Sequence, residues 1–311
     1  MTDMSDSLST IAFRAGLLER SERYVATARQ EIARWSSLYQ AVQVVPLPPE
    51  LSELLRSAWL SGLVTAIETT LTDTLLEVLV AYPGKLGRRQ LTVQELNEAG
   101  SYLAVIQRVA RKVVNDLSYA NVAEYLAEWQ KAVGELPTIT PDQIEAFTEV
   151  KATRDLYVHS NGTPNEIYER KAGPRARRPV RSGKLEIAEP YLSAASQLSL
   201  ELVQAVGDVV VAKFPRCTRL GVFEDMWNAT CCGRMVAFDE QWEVKTHPHH
   251  RKPFEWGWSS SEKALFDVFL RIFHRHHSDI STDIEYALYR WSADTAEGLV
   301  IRSWIESPFY V

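Results

Sequence analysis

The sequence predicts a mainly α-helical protein: a helix bundle followed by a smaller α+β appendage. Three observations predict it. Apolar residues recur every three or four positions through most of the first two thirds, helix caps and stops punctuate those stretches, and no strand-like alternation of any strength occurs before residue 215. At 311 residues, with 46 % hydrophobic and 24 % charged residues, the chain is long for one core and ordinary in composition for a folded soluble protein. Composition shifts after Pro215, beyond which lie six of the nine Trp and six of the seven His. The expected divisions are an N-terminal helical extension over 1–54, a helical domain over 55–215 and an appendage over 216–311.

Taken in order, residues 1–45 read as helical, and Pro46, Pro48 and Pro49 interrupt them. A helix from about Leu51 to Val80 carries Leu60, Leu63, Ile67, Leu71, Leu75 and Val78 at helical spacing, and Pro83-Gly84 ends it. Thr92 with Glu95 has the spacing of a capping box for a helix to about Leu117, which Gly100 can split. Asn121 with Glu124 caps the next helix, which stops at Gly134. The clearest start is Thr140 as cap, Pro141 at the first helical position and Gln143 closing the box; Ser160-Asn161-Gly162 ends that helix. The Gly-, Pro- and Arg-rich stretch from Thr163 to Lys184 reads as a loop, and Glu189-Pro190 opens a last long helix that runs until Pro215. Beyond it, helical stretches over Leu220–Thr230 and Ser261–His274 flank an expected strand pair, Phe238–Val244 and Phe254–Trp258, around HPHHRKP.

Net charge is −6 and the pI about 5.7, so attraction of the whole protein to nucleic acid is not expected; any such binding needs a local patch. Three cysteines suggest no disulfide framework and a reducing cytoplasm. The polar N-terminus has no signal-peptide pattern. The most apolar run, Leu75 to Tyr82, is too short to span a bilayer, so no membrane partner is expected.

The segment RDLYVH, Arg154 to His159, carries the sharpest chemistry. An RNase that works without metal needs a base for the ribose 2′-hydroxyl proton, an acid for the leaving 5′-oxygen, and a cation for the charge that builds on the phosphate. Histidine titrates near neutral pH, and arginine offers a permanent planar fork matched to phosphate oxygens. Asp155 and His159 are four apart on a helix, so Asp155 can orient the imidazole. The spacing alone is common: Arg271 and His276 repeat it, with apolar Ile272 after the Arg and no glycine turn after His277.

The surroundings are more specific. TEVKATRDLYVHSNGTPNEIY resembles the signature of HEPN domains, helical nucleases of toxin–antitoxin, CRISPR and antiphage systems, in which an Arg and an adjoining polar residue precede a catalytic His at a helix end. The order GTPNEIY, GKLEIAEPYL and a final helix resembles the RiboL-PSP-HEPN subgroup, as do the Trp59–Tyr82 helix with Glu68 and the segment SYANVAEYLAEWQKAVG. The position after the Arg, often Asn in the family, is Asp155 here. The resemblance covers about residues 55–215. It implies a HEPN-type bundle and a homodimeric endoribonuclease, without metal or other cofactor, that leaves a 2′,3′-cyclic phosphate and serves as toxin or antiphage effector. Arg154, Asp155 and His159 are then the catalytic residues. The other reading is an inactive HEPN dimer acting as scaffold, sensor or partner-binding module, for example toward an antitoxin.

The stretch from Arg170 to Lys184 holds seven basic residues and no acidic one. Arg170, Lys171, Arg175, Arg177, Arg178, Arg181 and Lys184, with Lys151 and Asn161, are the expected RNA contacts; a solvated loop and an antitoxin site are the alternatives. Cys217, Cys231, Cys232, His247, His249 and His250 have poor spacing for zinc, with no Cys-x-x-Cys pair, so no metal is expected. Glu68 is either an active-site contact or a buried partner for an arginine. Trp256, Trp258, Trp291 and Trp304 are base-stacking candidates with core packing as the commoner role.

Overall fold

The computed structural model describes residues 10–43, 47–88, 91–92, 94, 98–99, 101–179, 183–235, 259–273, 284–291 and 295–310. Every regular element among them is helical. In chain order these are α1 (Ile11–Arg14), α2 (Leu17–Gln43), α3 (Pro49–Ala81), α4 (Tyr102–Leu117), α5 (Val122–Ala132), α6 (Pro141–Ser160), α7 (Glu166–Ala172), α8 (Glu189–Lys213), α9 (Arg219–Ala229), α10 (Cys231–Met235), α11 (Ser260–Phe273), α12 (Ile284–Arg290) and α13 (Ala296–Glu306). Single 3₁₀ turns occupy Pro83–Leu86 and Gly173–Arg175. The expected strand pair, the 247–253 turn, Glu95, Gly100 and His276 lie outside the described residues.

The predicted caps form where their chemistry requires. The Asn121 side chain accepts from the Glu124 amide at 2.9 Å while the Glu124 carboxylate accepts from the Asn121 amide. Thr140 and Gln143 do the same at the start of α6, with Pro141 at the first helical position. At the other end of α6, Asn161 adopts the left-handed conformation, φ 49°, and Gly162 follows at φ 80°; the Leu156 carbonyl accepts from both of their amides. Gly162 also lies under the Tyr157 ring, where a Cβ would come within 2.9 Å of it.

The expected loop over 163–184 contains α7. Asn165 caps it by accepting from the Tyr168 amide, and Tyr168 and Ala172, four apart, bury one face of it. Composition obscured this helix because the Gly, Pro and Arg content of the whole stretch read as a loop, whereas its glycines and prolines all stand outside α7.

The chain divides into two compact units, and α2, α3 and α4 each contribute to both. One comprises residues 20–76 and 113–213. Its core draws Leu60, Leu63, Ile67 and Leu71 from α3, Leu126 and Trp129 from α5, Phe147 and Val150 from α6, and Leu202, Val203 and Val206 from α8, all buried. The buried Trp129 indole donates to the Leu71 carbonyl at 3.1 Å, so the ring fills volume without stranding its N–H. Gly62 lets α2 and α3 approach closely, since a Cβ there would meet the Trp35 indole at 2.1 Å. By length and composition α8 is apolar enough to cross a bilayer, and half of its most apolar window is buried inside the protein.

The other unit comprises residues 1–19, 77–112 and 214–311. Its core gathers Ile11, Ala12 and Ala15 with Phe223, Trp227, Phe269, Ile301 and Trp304. Phe269 meets Phe223 and Trp227 edge-on at 5.6 and 5.2 Å. Trp304 is buried and donates to the Phe309 carbonyl, and Trp291 packs against the same core, which gives both tryptophans a structural role. Trp256 and Trp258 lie outside the described residues.

The strip at the end of α6 and the basic cleft beside it

All three residues of the predicted strip stand on the second half of α6, in the unit built from 20–76 and 113–213. Their surroundings differ. His159, in the last turn, is exposed and makes no hydrogen bond or ion pair among the described residues. Arg154 is held against α3: its Nη2 donates to Glu68 Oε2 at 2.8 Å, and Lys151 Nζ pairs with the other oxygen of the same carboxylate. Glu68 thus pairs with an arginine, but half-buried rather than buried and with the strip's own Arg154, and it serves two cations at once. Positions five apart on a helix point about 140° apart, so Arg154 facing α3 leaves His159 facing elsewhere.

Asp155 does not reach His159. Its carboxylate accepts from Lys171 Nζ of α7 at 3.0 Å and lies 3.3 Å from Arg154 Nη1. The expected Asp155–imidazole contact is absent because α7, unseen in the sequence, brings a lysine to that face.

Arg154 and Asp155 line a cleft of about 900 Å³ between α3, α5, α6 and α7. Lys151, Arg170 and Lys171 share its wall with Glu68, so four cations oppose two carboxylates. In a protein of net charge −6 this is a local positive site. Its polar floor includes the Thr72 and Tyr125 hydroxyls, 3.2 Å apart, and burial pushes the Tyr125 phenol up so that it stays neutral. His159 is not part of this lining.

The basic segment is mostly spoken for. Arg177 is drawn onto the opposite, buried side of α6 by Glu149, whose side chain is 7 % exposed. Glu149 Oε1 accepts from Arg177 Nε at 2.8 Å, Tyr168 Oη at 3.0 Å and Thr153 Oγ1 at 2.6 Å, and Oε2 accepts from Tyr191 Oη at 2.9 Å. Arg177 also donates to the Glu186 carbonyl and stacks over the Tyr191 ring at 3.8 Å. Burial pushes the Tyr191 and Tyr168 hydroxyls up, the carboxylate adding to the effect, so both remain donors at neutral pH. Arg177 is therefore a structural cation, contrary to its expected place at an RNA surface.

Arg175 pairs with Asp142 and, at 3.8 Å, with Glu145. Lys184 Nζ pairs with Glu53 at 2.9 Å and donates to Asn161 Oδ1 at 3.3 Å. The same return segment closes on the end of α6: the Leu185 amide donates to the Gly162 carbonyl at 2.9 Å and the Tyr157 hydroxyl to the Leu185 carbonyl. The helix end that carries His159 is thus clamped from outside. Arg170 and Arg178 are exposed and make no ion pair among the described residues; Arg181 lies outside them.

The cysteines belong to the other unit. Cys231 and Cys232 are buried in the core of the other unit, and Cys217, also buried, lies 3.0 Å from the Tyr82 hydroxyl. His247, His249 and His250 lie outside the described residues, and among the described residues no group of three or more His, Cys, Asp or Glu side chains is placed to hold a metal. The chain matches no protein-family model, no curated protein and no solved structure.

Proposed function

We propose that the protein is a metal-independent endoribonuclease of the HEPN type, acting in the cytoplasm as a toxin or antiphage effector, with the helical unit as its HEPN-type bundle and the residues after Pro215 as an α+β appendage. One observation carries the reading. The RDLYVH strip ends α6 with an unengaged, exposed His159, while Arg154 of the same strip lines a positively charged cleft. In this reaction a base takes the proton of the ribose 2′-hydroxyl and the 2′-oxygen attacks phosphorus. The bond to the 5′-oxygen then breaks and that oxygen takes up a proton, leaving a 2′,3′-cyclic phosphate. His159 serves the proton transfers, and Arg154 meets the phosphate. Asp155 sets Arg154 and Lys171 in place.

One strip supplies one histidine for two proton transfers, so the working species is a homodimer in which the strips of two chains meet at a shared active site. The apolar residues of α3 named by the periodicity are buried inside the protein. Exposed apolar residues on α3 and α6 include Leu51 and Leu54 at the start of α3 and Val158 beside His159, at 51, 62 and 57 %. We assign the contact with a second copy to them. Specific activity should fall as the protein is diluted through its dimer dissociation constant. A monomer in light scattering with full specific activity contradicts the assignment.

The test of the function is incubation of purified protein with total RNA in EDTA. Expected are fragments ending in 2′,3′-cyclic phosphate that disappear with Arg154→Ala. Cleavage only after addition of a divalent metal overturns the chemistry. A second reading, an inactive scaffold or antitoxin-bound partner, is favoured by the grip of Glu68 and Asp155 on Arg154, and absence of cleavage under all conditions supports it. For RNA binding, Arg170→Ala with Arg178→Ala should reduce the salt slope of log Kobs by about two, because these are cations of the segment without an internal partner. An unchanged slope shows a solvated surface instead.

A further inference from the structure

We propose that the cleft beside Arg154 is a nucleotide subsite, in which Tyr119 stacks on one base of a single-stranded RNA and Lys151, Arg170 and Lys171 hold the phosphate joined to it. The substrate class rests on the ribonuclease reading; the inference adds where the strand is gripped and by what.

Tyr119 stands in the turn between α4 and α5 and lines the cleft, yet is 91 % exposed. An aromatic ring held almost wholly in water contributes little to the core, while its face suits any base, since stacking is tolerant of sequence. Around it the cleft offers what a nucleotide needs. The cations stand on α6 and α7 and line the same cleft as Tyr119. The Thr72 and Tyr125 hydroxyls offer hydrogen bonds to a base edge or ribose. Arg154, whose Nη1 and Nη2 face carboxylates, lines the same cleft. At about 900 Å³ the cleft is in the range of small-ligand sites and has room for a nucleotide with its flanking phosphate.

The experiment uses full-length His159→Ala protein, which binds without cutting, and a fluorescein-labelled oligouridine followed by anisotropy over a range of salt. Adding Tyr119→Ala should weaken binding about tenfold at every salt concentration, whereas Tyr119→Trp should keep or tighten it. Adding Arg170→Ala, which removes the cleft cation that has no ion pair among the described residues, should lower the salt slope by about one and leave the Tyr119 effect in place. Because Tyr119 is exposed, an unchanged thermal melt is expected for its variants. Equal affinity of the Tyr119→Ala and parent proteins overturns the subsite. If wild-type protein still cuts RNA in that case, only the subsite falls. Tyr119-dependent binding with no cleavage by wild-type protein keeps the subsite and removes the nuclease reading. No binding by any variant removes both.

Discussion

Arg177→Ala should destabilise the protein by about 2–4 kcal/mol, read as a lower midpoint in urea with an unchanged slope. Removing one partner of a buried ion pair leaves the other charge without compensation, and Glu149 is that other charge, almost wholly enclosed. The figure is set below the full penalty of a buried pair because the Arg177 side chain keeps 29 % of its exposure and water screens part of the loss. Arg177→Lys should recover only part of it. A lysine restores the charge but cannot span Glu149, Thr153 and the Glu186 carbonyl together, nor stack flat on Tyr191. Arg178→Ala, at the next and exposed position, should change stability by less than about 0.5 kcal/mol. Equal midpoints for the two alanine variants contradict the account of Arg177 as the anchor of this segment.

That contrast shows what the sequence could and could not disclose. Elements set by local chemistry were legible: the Asn121 and Thr140 capping boxes, the Pro141 start, the Asn161-Gly162 stop and the long apolar period of α3. Each depends on residues within one turn of one another. Pairings between distant segments were not legible. Glu149 and Arg177 lie 28 positions apart, and in sequence Arg177 is one basic residue among seven. Its position is tied to α7, whose Tyr168 hydroxyl accepts from the Arg177 amide, and the Gly, Pro and Arg content of the stretch concealed that helix. The same short helix brings Lys171 to Asp155, which removed the expected Asp155–His159 contact. The sharing of Glu68 by Lys151 and Arg154 shows the limit from the other side. A carboxylate on a core helix signals that a cation must be near, but not that two will be. The compact units follow the same logic, since one joins α1 to residues beyond Pro215 and no local signal marks such a union. The aromatic turn at Tyr119 carried a signal, a tyrosine just before a cap, but only the cleft beside it gives that tyrosine a use.

His159→Ala should reduce RNA cleavage by about 10²–10⁴-fold, the usual loss for a general acid or base, while leaving the fold intact. The side chain is exposed, ends its helix and has no partner among the described residues, so its removal disturbs no packing. The larger consequence concerns how the two proton transfers are divided. If each active site takes its base from one chain and its acid from the other, a mixed dimer of wild-type and His159→Ala chains lacks one of the two. Such a dimer is then nearly as slow as the doubly substituted one. After full subunit exchange, the fraction of wild-type chains paired with another wild-type chain equals the wild-type fraction. Ninefold excess of His159→Ala protein should therefore reduce activity per wild-type chain to about a tenth. Arg154→Ala chains should suppress activity in the same way if both arginines face the phosphate. Stopped exchange, with the two proteins mixed at a concentration where dimers do not dissociate during the assay, should show no suppression at all. Activity per wild-type chain that stays constant through the whole exchange series means that one strip suffices, and the acid must then be sought on the same chain.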